Sequence, residues 1–180
     1  VQGRAAPNKE VVLDEDLKAR IERLEAINDI RNLMADYTHY FDAGWPGAGQ
    51  DAEKVGALFT EDATWGGDAG AQKGRARIQS WCARYGHAAK MSLHIAMNPK
   101  IEVDGDSATG AWSGLIPMVT PDGAALWVGG RYECAFLRQN GDWKIARMNF
   151  FTAFQTPYDE GFARTQFLDP AAYKPKKSEA

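Results

Sequence analysis

Cysteine is scarce in this 180-residue chain: Cys82 and Cys134 are its only two, far apart in sequence and on apolar faces. That supply makes no disulfide framework and no zinc spacing, and it predicts a protein kept reduced in the cytoplasm. Long hydrophobic runs are missing too. No apolar stretch approaches the ~20 residues of a membrane span, and no positively charged leader precedes an apolar segment. There is no excess of basic charge, with 21 Lys and Arg against 24 Asp and Glu and a formal net charge of −3. Such a surface has no pull toward nucleic acid or an anionic membrane, and no basic stripe carries interleaved aromatics. No glycine-rich dinucleotide fingerprint follows a strand, and no phosphate-binding loop occurs. Ser113, within Gly110-Ala111-Trp112-Ser113-Gly114, is not in a nucleophile elbow. No His/Cys/carboxylate cluster has metal-ligand spacing. An enzyme built on this sequence is expected to work by acid–base chemistry, with no metal and no other cofactor.

What is present is an ordinary globular mixture, 44% hydrophobic and 25% charged, enough for one domain with a real core. Residues 1–12 lack periodicity and are expected to form a flexible arm. Residues 13–160 are expected to form the folded domain, and 161–180 a tail of loop or short helix. The domain is organised around an amphipathic segment from Asp14 to Asp42. Leu17, Ile21, Leu24, Ile27, Ile30, Met34, Tyr37 and Phe41 recur at steps of three or four, one stripe of a helix. Asp14 is a plausible N-cap, and Gly44-Trp45-Pro46-Gly47 stops the helix. A short helix is expected from Asp51, a short strand at Ala63–Trp65, and a third helix from about Arg75 to Tyr85. From Met91 the texture changes to four strand-like runs, 91–103, 107–119, 125–139 and 142–155. Their connections, Asp104-Gly105-Asp106, Thr120-Pro121-Asp122-Gly123 and Gln139-Asn140-Gly141-Asp142, are hairpin signals. Strands this long curl. The order predicts an α+β fold, a curved antiparallel sheet wrapped as a cone around three N-terminal helices, with a pocket at the end of the first helix.

Few residues suit catalysis. Of the three histidines, His94 lies in Ser92-Leu93-His94-Ile95-Ala96-Met97-Asn98, where alternation puts Ser92, His94, Ala96 and Asn98 on one face. It is either the polar tip of a pocket or a histidine hydrogen-bonded at a sheet surface. No role suggests itself for His39 or His87. Asp42 faces the negative end of the helix macrodipole, a cost that a nearby proton-bearing histidine would offset; alternatively it only begins a turn. Tyr37 is a pocket hydroxyl or a core tyrosine. Strand alternation puts Trp143, Ile145, Arg147 and Asn149 on one face, so Arg147 is a cation inside the cone or part of a rim ion pair. The tryptophans, Trp65, Trp112 and Trp127 among them, line a flat cavity together with Met91, Tyr132 and Phe151, or else simply pack the core.

Several of these segments together resemble one family. They are Ile30-Arg31-Asn32-Leu33-Met34-Ala35-Asp36-Tyr37 through Phe41-Asp42, Leu58-Phe59-Thr60-Glu61-Asp62-Ala63-Thr64-Trp65, His94 with Asn98-Pro99, Gly130-Arg131-Tyr132 and Trp143-Lys144-Ile145. Over residues 15–155 the chain resembles the SnoaL-like, scytalone dehydratase-like superfamily, the cone fold of nuclear transport factor relatives. Its site pattern is most similar to bile-acid 7α-dehydratase and hexachlorocyclohexane dehydrochlorinase. The resemblance implies that His94 is a general base, Asp42 its orienting partner, Tyr37 an active-site tyrosine and Arg147 an active-site arginine. Trp65, Met91, Asn98, Trp112, Trp127, Tyr132, Asn149 and Phe151 are then expected to bind substrate. It implies a cofactor-independent lyase, a dehydratase or a formaldehyde-eliminating enzyme, for a bulky hydroxylated aromatic or polycyclic substrate. An isomerase in the same pocket is an alternative, as is a non-catalytic assembly subunit like the small subunits of ring dioxygenases. A homodimer or homotrimer through the outer face of the sheet is also implied. Two features depart from the family pattern. No second histidine follows His94, and the Trp45–Gln50 loop and long tail are extra.

Overall fold

The computed structural model describes residues 14–67 and 71–169, without the side chains of residues 86–88. The expected arm, the last part of the expected tail and the side chain of His87 lie outside the described residues. Helix α1 (Glu15–Phe41) starts where a side-chain acceptor is available, since an Asp14 carboxylate oxygen takes the Asp16 N–H at 3.3 Å. It ends when Asp42 turns to an extended conformation, its N–H still donating to the Thr38 carbonyl. Two residues later Gly44 has φ +81°, and a Cβ there would lie 1.9 Å from the Lys90 carbonyl oxygen, so only glycine lets the chain pass. The predicted stripe is buried only from Ala26 onward. Leu17, Ile21 and Leu24 are 42%, 40% and 66% exposed, and it is Ala19, Glu22, Arg23 and Ala26 that share a groove with Val103, Gly105 and Asp106 of the sheet.

Helix α2 (Ala52–Ala57) is capped by Asp51, and strand β1 (Phe59–Gly67) follows it directly. Strand β2 (Gln72–Lys73) doubles back on β1 before helix α3 (Arg75–Ala88). The remaining strands are β3 (Met91–Ser92), β4 (Ile95–Asp104), β5 (Ser107–Val119), β6 (Ala125–Gln139) and β7 (Asp142–Pro157). The sheet runs β2-β1-β7-β6-β5-β3, with β4 also on β5. The expected meander of β4 to β7 is antiparallel throughout. β1 joins it in parallel beside β7, a pairing that no local signal announces. The β6–β7 turn shows why its sequence is Asn140-Gly141: both residues have positive φ, 54° and 93°, as a two-residue hairpin of this hand needs.

The curled sheet closes over the helices in the cone expected from the sequence. Ile30, Met34, Tyr37, Phe59, Ile78, Phe136, Ile145 and Met148, all essentially buried, fill the space between them. Past the end of β1, residues 166–168 take its position beside β7. There Gln155 donates its N–H to the Gln166 carbonyl and accepts from the Leu168 N–H. Among the described residues no helix is long and apolar enough to cross a membrane.

Both cysteines are buried in this core, and burial pushes each thiol from 9 up to about 12. The unfolded chain therefore loses these protons first as pH rises. Each thiol's contribution to stability is intact below about pH 9 and falls by up to ~1.4 kcal/mol per pH unit between there and about 12. The urea midpoint is expected to drop over that interval, less steeply in Cys82→Ala. A midpoint that stays flat would contradict the burial.

Candidate active site

The site grows from the end of α1. Ala43 and Ser92 exchange backbone hydrogen bonds at 3.2 and 3.0 Å, and the indole N–H of Trp45 donates to the same Ser92 carbonyl at 3.1 Å. This bridge ties Asp42 beside residue 94. The expected strand 91–103 breaks there into β3 and β4, because the His94 N–H donates to Asp42 Oδ1 at 2.6 Å instead of to a neighbouring strand. The same carboxylate oxygen lies 3.0 Å from His94 Nδ1. A carboxylate only accepts, so Nδ1 carries the hydrogen and Nε2 is left as the basic atom. His94 is 6% and Asp42 4% exposed. Two donors on Asp42 offset both its desolvation and its position at the negative helix end.

His94 stands in the wall of a cavity of about 240 Å³. Tyr37 and Phe41 enter from α1, Trp65 from β1, and Trp81 and Tyr85 from α3. The sheet supplies Ile116, Met118, Val128, Tyr132 and Phe150, with Thr152 and Gln155 alongside. Phe41 stacks within 16° on Tyr37, Trp81 and Tyr85, and its ring meets the His94 ring edge-on at 4.9 Å. The Trp65 indole N–H donates to the Tyr37 hydroxyl at 2.9 Å, which leaves the Tyr37 O–H free to donate. Burial, more than any neighbouring charge, raises the Tyr37 and Tyr132 hydroxyls well above the usual phenol range and pushes Tyr85 up to about 12. All three stay protonated donors near neutral pH. Among the described residues no three His, Cys, Asp or Glu side chains converge as a metal site would need.

His94, Tyr37, Trp65 and Tyr132 thus meet at one cavity, with Asp42 behind His94. Arg147 does not join them. Opposite β6 the register passes from Phe136 facing Ile145 to Ala135 facing Arg147, so Ala146 is an extra residue, a β-bulge. Beyond it the faces exchange, Met148 and Phe150 turn inward, and Arg147 lies exposed in a groove on the outer face with Lys100, Arg131 and Glu133. Asn149 and the 48% exposed Phe151 go outward for the same reason. A second bulge, between Met97 and Lys100 on β4, carries Asn98 at φ 52° and exposes it. Trp112 is core, 6.0 Å edge-on to Phe136, and Trp127 stacks on Tyr158 away from the cavity. Met91 pairs with Val119 and does not line the cavity. His39 is exposed on α1. The lining residues not expected from sequence are chiefly Phe41, Tyr85 and Phe150, while Trp81 counts there only as one of the tryptophans.

A curled sheet closed over N-terminal helices is the nuclear transport factor-like α+β fold. Within that fold the chain belongs to the SnoaL-like domain family, whose model matches residues 22–149. Solved structures agree in fold. Hexachlorocyclohexane dehydrochlorinase LinA-type3 from Novosphingobium barchaimii is 19% identical, covering 84% of this chain and 99% of its own, with a TM-score of 0.69. A candidate scytalone dehydratase from Novosphingobium aromaticivorans is 21% identical over 77% of this chain and 91% of its own, TM-score 0.69. A Mycobacterium tuberculosis protein of unknown function is 25% identical over 75% and 76%, TM-score 0.65. No curated protein matches the chain.

Proposed function

We propose that the protein is a lyase that needs no cofactor and eliminates water, or formaldehyde, from a hydroxylated aromatic substrate. The observation that carries this is the His94–Asp42 pair, 3.0 Å apart and buried, opening on a ring-lined cavity. A buried imidazole and carboxylate cost desolvation that an apolar pair would avoid, so their retention favours chemistry over packing. Similarity in fold to a dehydrochlorinase, an eliminating enzyme by its name, points the same way.

In the dehydration, His94 Nε2 takes a proton from the carbon next to the one bearing the hydroxyl, and Asp42 holds the ring and stabilises the imidazolium. The C–H electrons form the new double bond as the C–O bond breaks. Tyr37 hydrogen-bonds the departing oxygen, and the imidazolium proton returns to it, so water leaves and every residue regains its starting state. Formaldehyde loss begins instead with His94 taking the hydroxyl proton of a hydroxymethyl group: the O–H pair becomes the C=O of formaldehyde, the C–C bond breaks, and the carbon left with its electron pair takes the proton back from the imidazolium. A cavity of about 240 Å³ falls below the ~300–1,000 Å³ of sites for drug-sized ligands, which favours one or two rings over a steroid nucleus.

The test is incubation with a panel of hydroxylated diaryl and bicyclic ketol compounds without added cofactor, followed by mass spectrometry. Loss of water or of formaldehyde is the expected result and selects the branch. A product of unchanged mass would replace lyase by isomerase. No turnover across the panel, with a larger subunit co-purifying, would replace it by an assembly role.

A further inference from the structure

The N-terminal half of α1 carries an apolar line that faces away from the rest of the molecule. At the helical repeat Leu17, Ile21, Leu24 and Asn28 fall on one side of α1, and Ala26 and Ile30, which the core buries, on the opposite side. The first three are exposed, while Ala19, Glu22 and Arg23 turn toward the groove beside Val103 and Asp106. Bare leucine and isoleucine at steps of four and three, followed by an asparagine four residues on, have the spacing of a seam between paired helices.

The residues around the seam say what the second helix is, because they complement themselves about a point between Glu22 and Arg23. Asp14 stands as far before that point as Arg31 stands after it. Ile21 and Leu24 are related in the same way, as are Leu17 and Asn28. Lys18 and Glu25 lie along one edge of the seam, on either side of the point. Asp14, Lys18, Glu25 and Arg31 are all exposed, and none has an ion-pair partner in its own chain among the described residues. A contact in which one residue meets a second, and the second meets the first, is what a two-fold pair of identical surfaces requires.

We infer that two copies of the chain pair through the N-terminal halves of their α1 helices, side by side and antiparallel. Ile21 of each copy packs on Leu24 of the other, and Leu17 against Asn28 closes the apolar layer at both ends. Each Lys18 reaches Glu25 of the other copy, and each Arg31 reaches Asp14. A parallel pair would lose these ion pairs and set Arg31 against its own copy. The faces of α1 that the cores bury point away from the seam, so the two cores lie on opposite sides of it. This contact is separate from any through the outer face of the sheet, and it owes nothing to the chemistry of the cavity. Two helical turns per chain bury well under the ~1,200–2,000 Å² of a stable complex, so the pair is weak and forms at about 10–100 μM protein.

Sedimentation equilibrium of the full chain tests the pairing. The average mass of the wild-type protein is expected to rise with concentration between about 1 and 200 μM. Ile21→Glu places a charge in both symmetric copies of the apolar contact and is expected to raise the dissociation constant at least ~100-fold. Lys18→Glu and Glu25→Lys each turn two attractive pairs into repulsive ones, an expected weakening of about tenfold. Mixed in equal amounts, these two variants regain both attractions with the signs exchanged and should associate as tightly as wild type. All the altered side chains are exposed, so helix content by circular dichroism should stay that of wild type. If Ile21→Glu loses it, the charge variants and their mixture still decide. Association weakened by Glu25→Lys and untouched by Lys18→Glu would mean parallel helices and overturn the antiparallel pair. A mass that does not rise, or that rises equally in a folded Ile21→Glu, overturns the inference altogether. The seam would then belong to a different protein, and any assembly to the sheet.

Discussion

His94→Ala is expected to lower kcat by ~10²–10⁴-fold, the range that a positioned general base contributes, while the protein remains folded. The substitution removes Nε2, which is the only unengaged basic nitrogen in the cavity lining among the described residues. It does not remove the strongest local tie. The residue-94 backbone N–H still donates to Asp42 Oδ1, the 2.6 Å bond that holds the break between β3 and β4. The structural penalty is then a side-chain hydrogen bond and a small cavity, of the order of 1–3 kcal/mol. His94→Gln narrows it further, because a glutamine amide can donate toward Asp42 yet cannot act as a base. Both variants should lose turnover alike and differ in thermal midpoint. Turnover within a few-fold of wild type in either, in protein shown to be folded, would remove His94 from the chemistry and leave the pair as a structural fastening.

The sequence made the frame legible because the frame is periodic. A helical stripe, three hairpin turns and four long alternating runs are local signals, and they predicted α1 to within a residue at each end and β5 and β6 as observed. What failed was phase. Strand alternation assumes an unbroken pleat, and the added residues at Ala146 and near Asn98 each exchange the faces beyond them. Arg147, Asn149, Phe151 and Asn98 were lost from the site for that one reason. Phe150, placed on the outer face by the same alternation, turned out to line the cavity. A bulge has no reliable local signature, because it is fixed by what the neighbouring strands need. The parallel pairing of β1 with β7 is non-local in the same sense.

The pairing of Asp42 with His94 came from resemblance, since nothing in the spacing of two residues 52 apart announces a contact. The tryptophans show the opposite weakness. Composition marked a ring-lined cavity, but it could not sort Trp65 and Trp81, which line it, from Trp112 in the core and Trp127 outside it. Sorting them requires knowing which side of the pleat, and which end of the cone, each one occupies.

Asp42 is the second site where a large effect is expected, and here the choice of substitution separates chemistry from architecture. Asp42→Ala deprives both the His94 backbone N–H and Nδ1 of their acceptor inside the protein, at ~1–3 kcal/mol for each buried donor. A drop in activity would then be confounded with a drop in stability. Asp42→Asn keeps an amide oxygen for the backbone N–H and nearly the same volume. It removes the charge that stabilises the imidazolium, while the amide oxygen standing in place of Oδ1 still accepts from both N–H groups of residue 94. The expected result is a fall in kcat of ~10²–10⁴-fold with KM little changed, because Asp42 does not line the cavity that holds the substrate. With substrate deuterated at the carbon that loses its proton, the isotope effect on kcat should rise in Asp42→Asn, since slowing the proton transfer makes it the step that limits turnover. A merely structural aspartate would lower the amount of active protein and leave that isotope effect where it was. An unchanged isotope effect beside a reduced kcat would therefore assign Asp42 to the fold and leave His94 to act without an orienting partner.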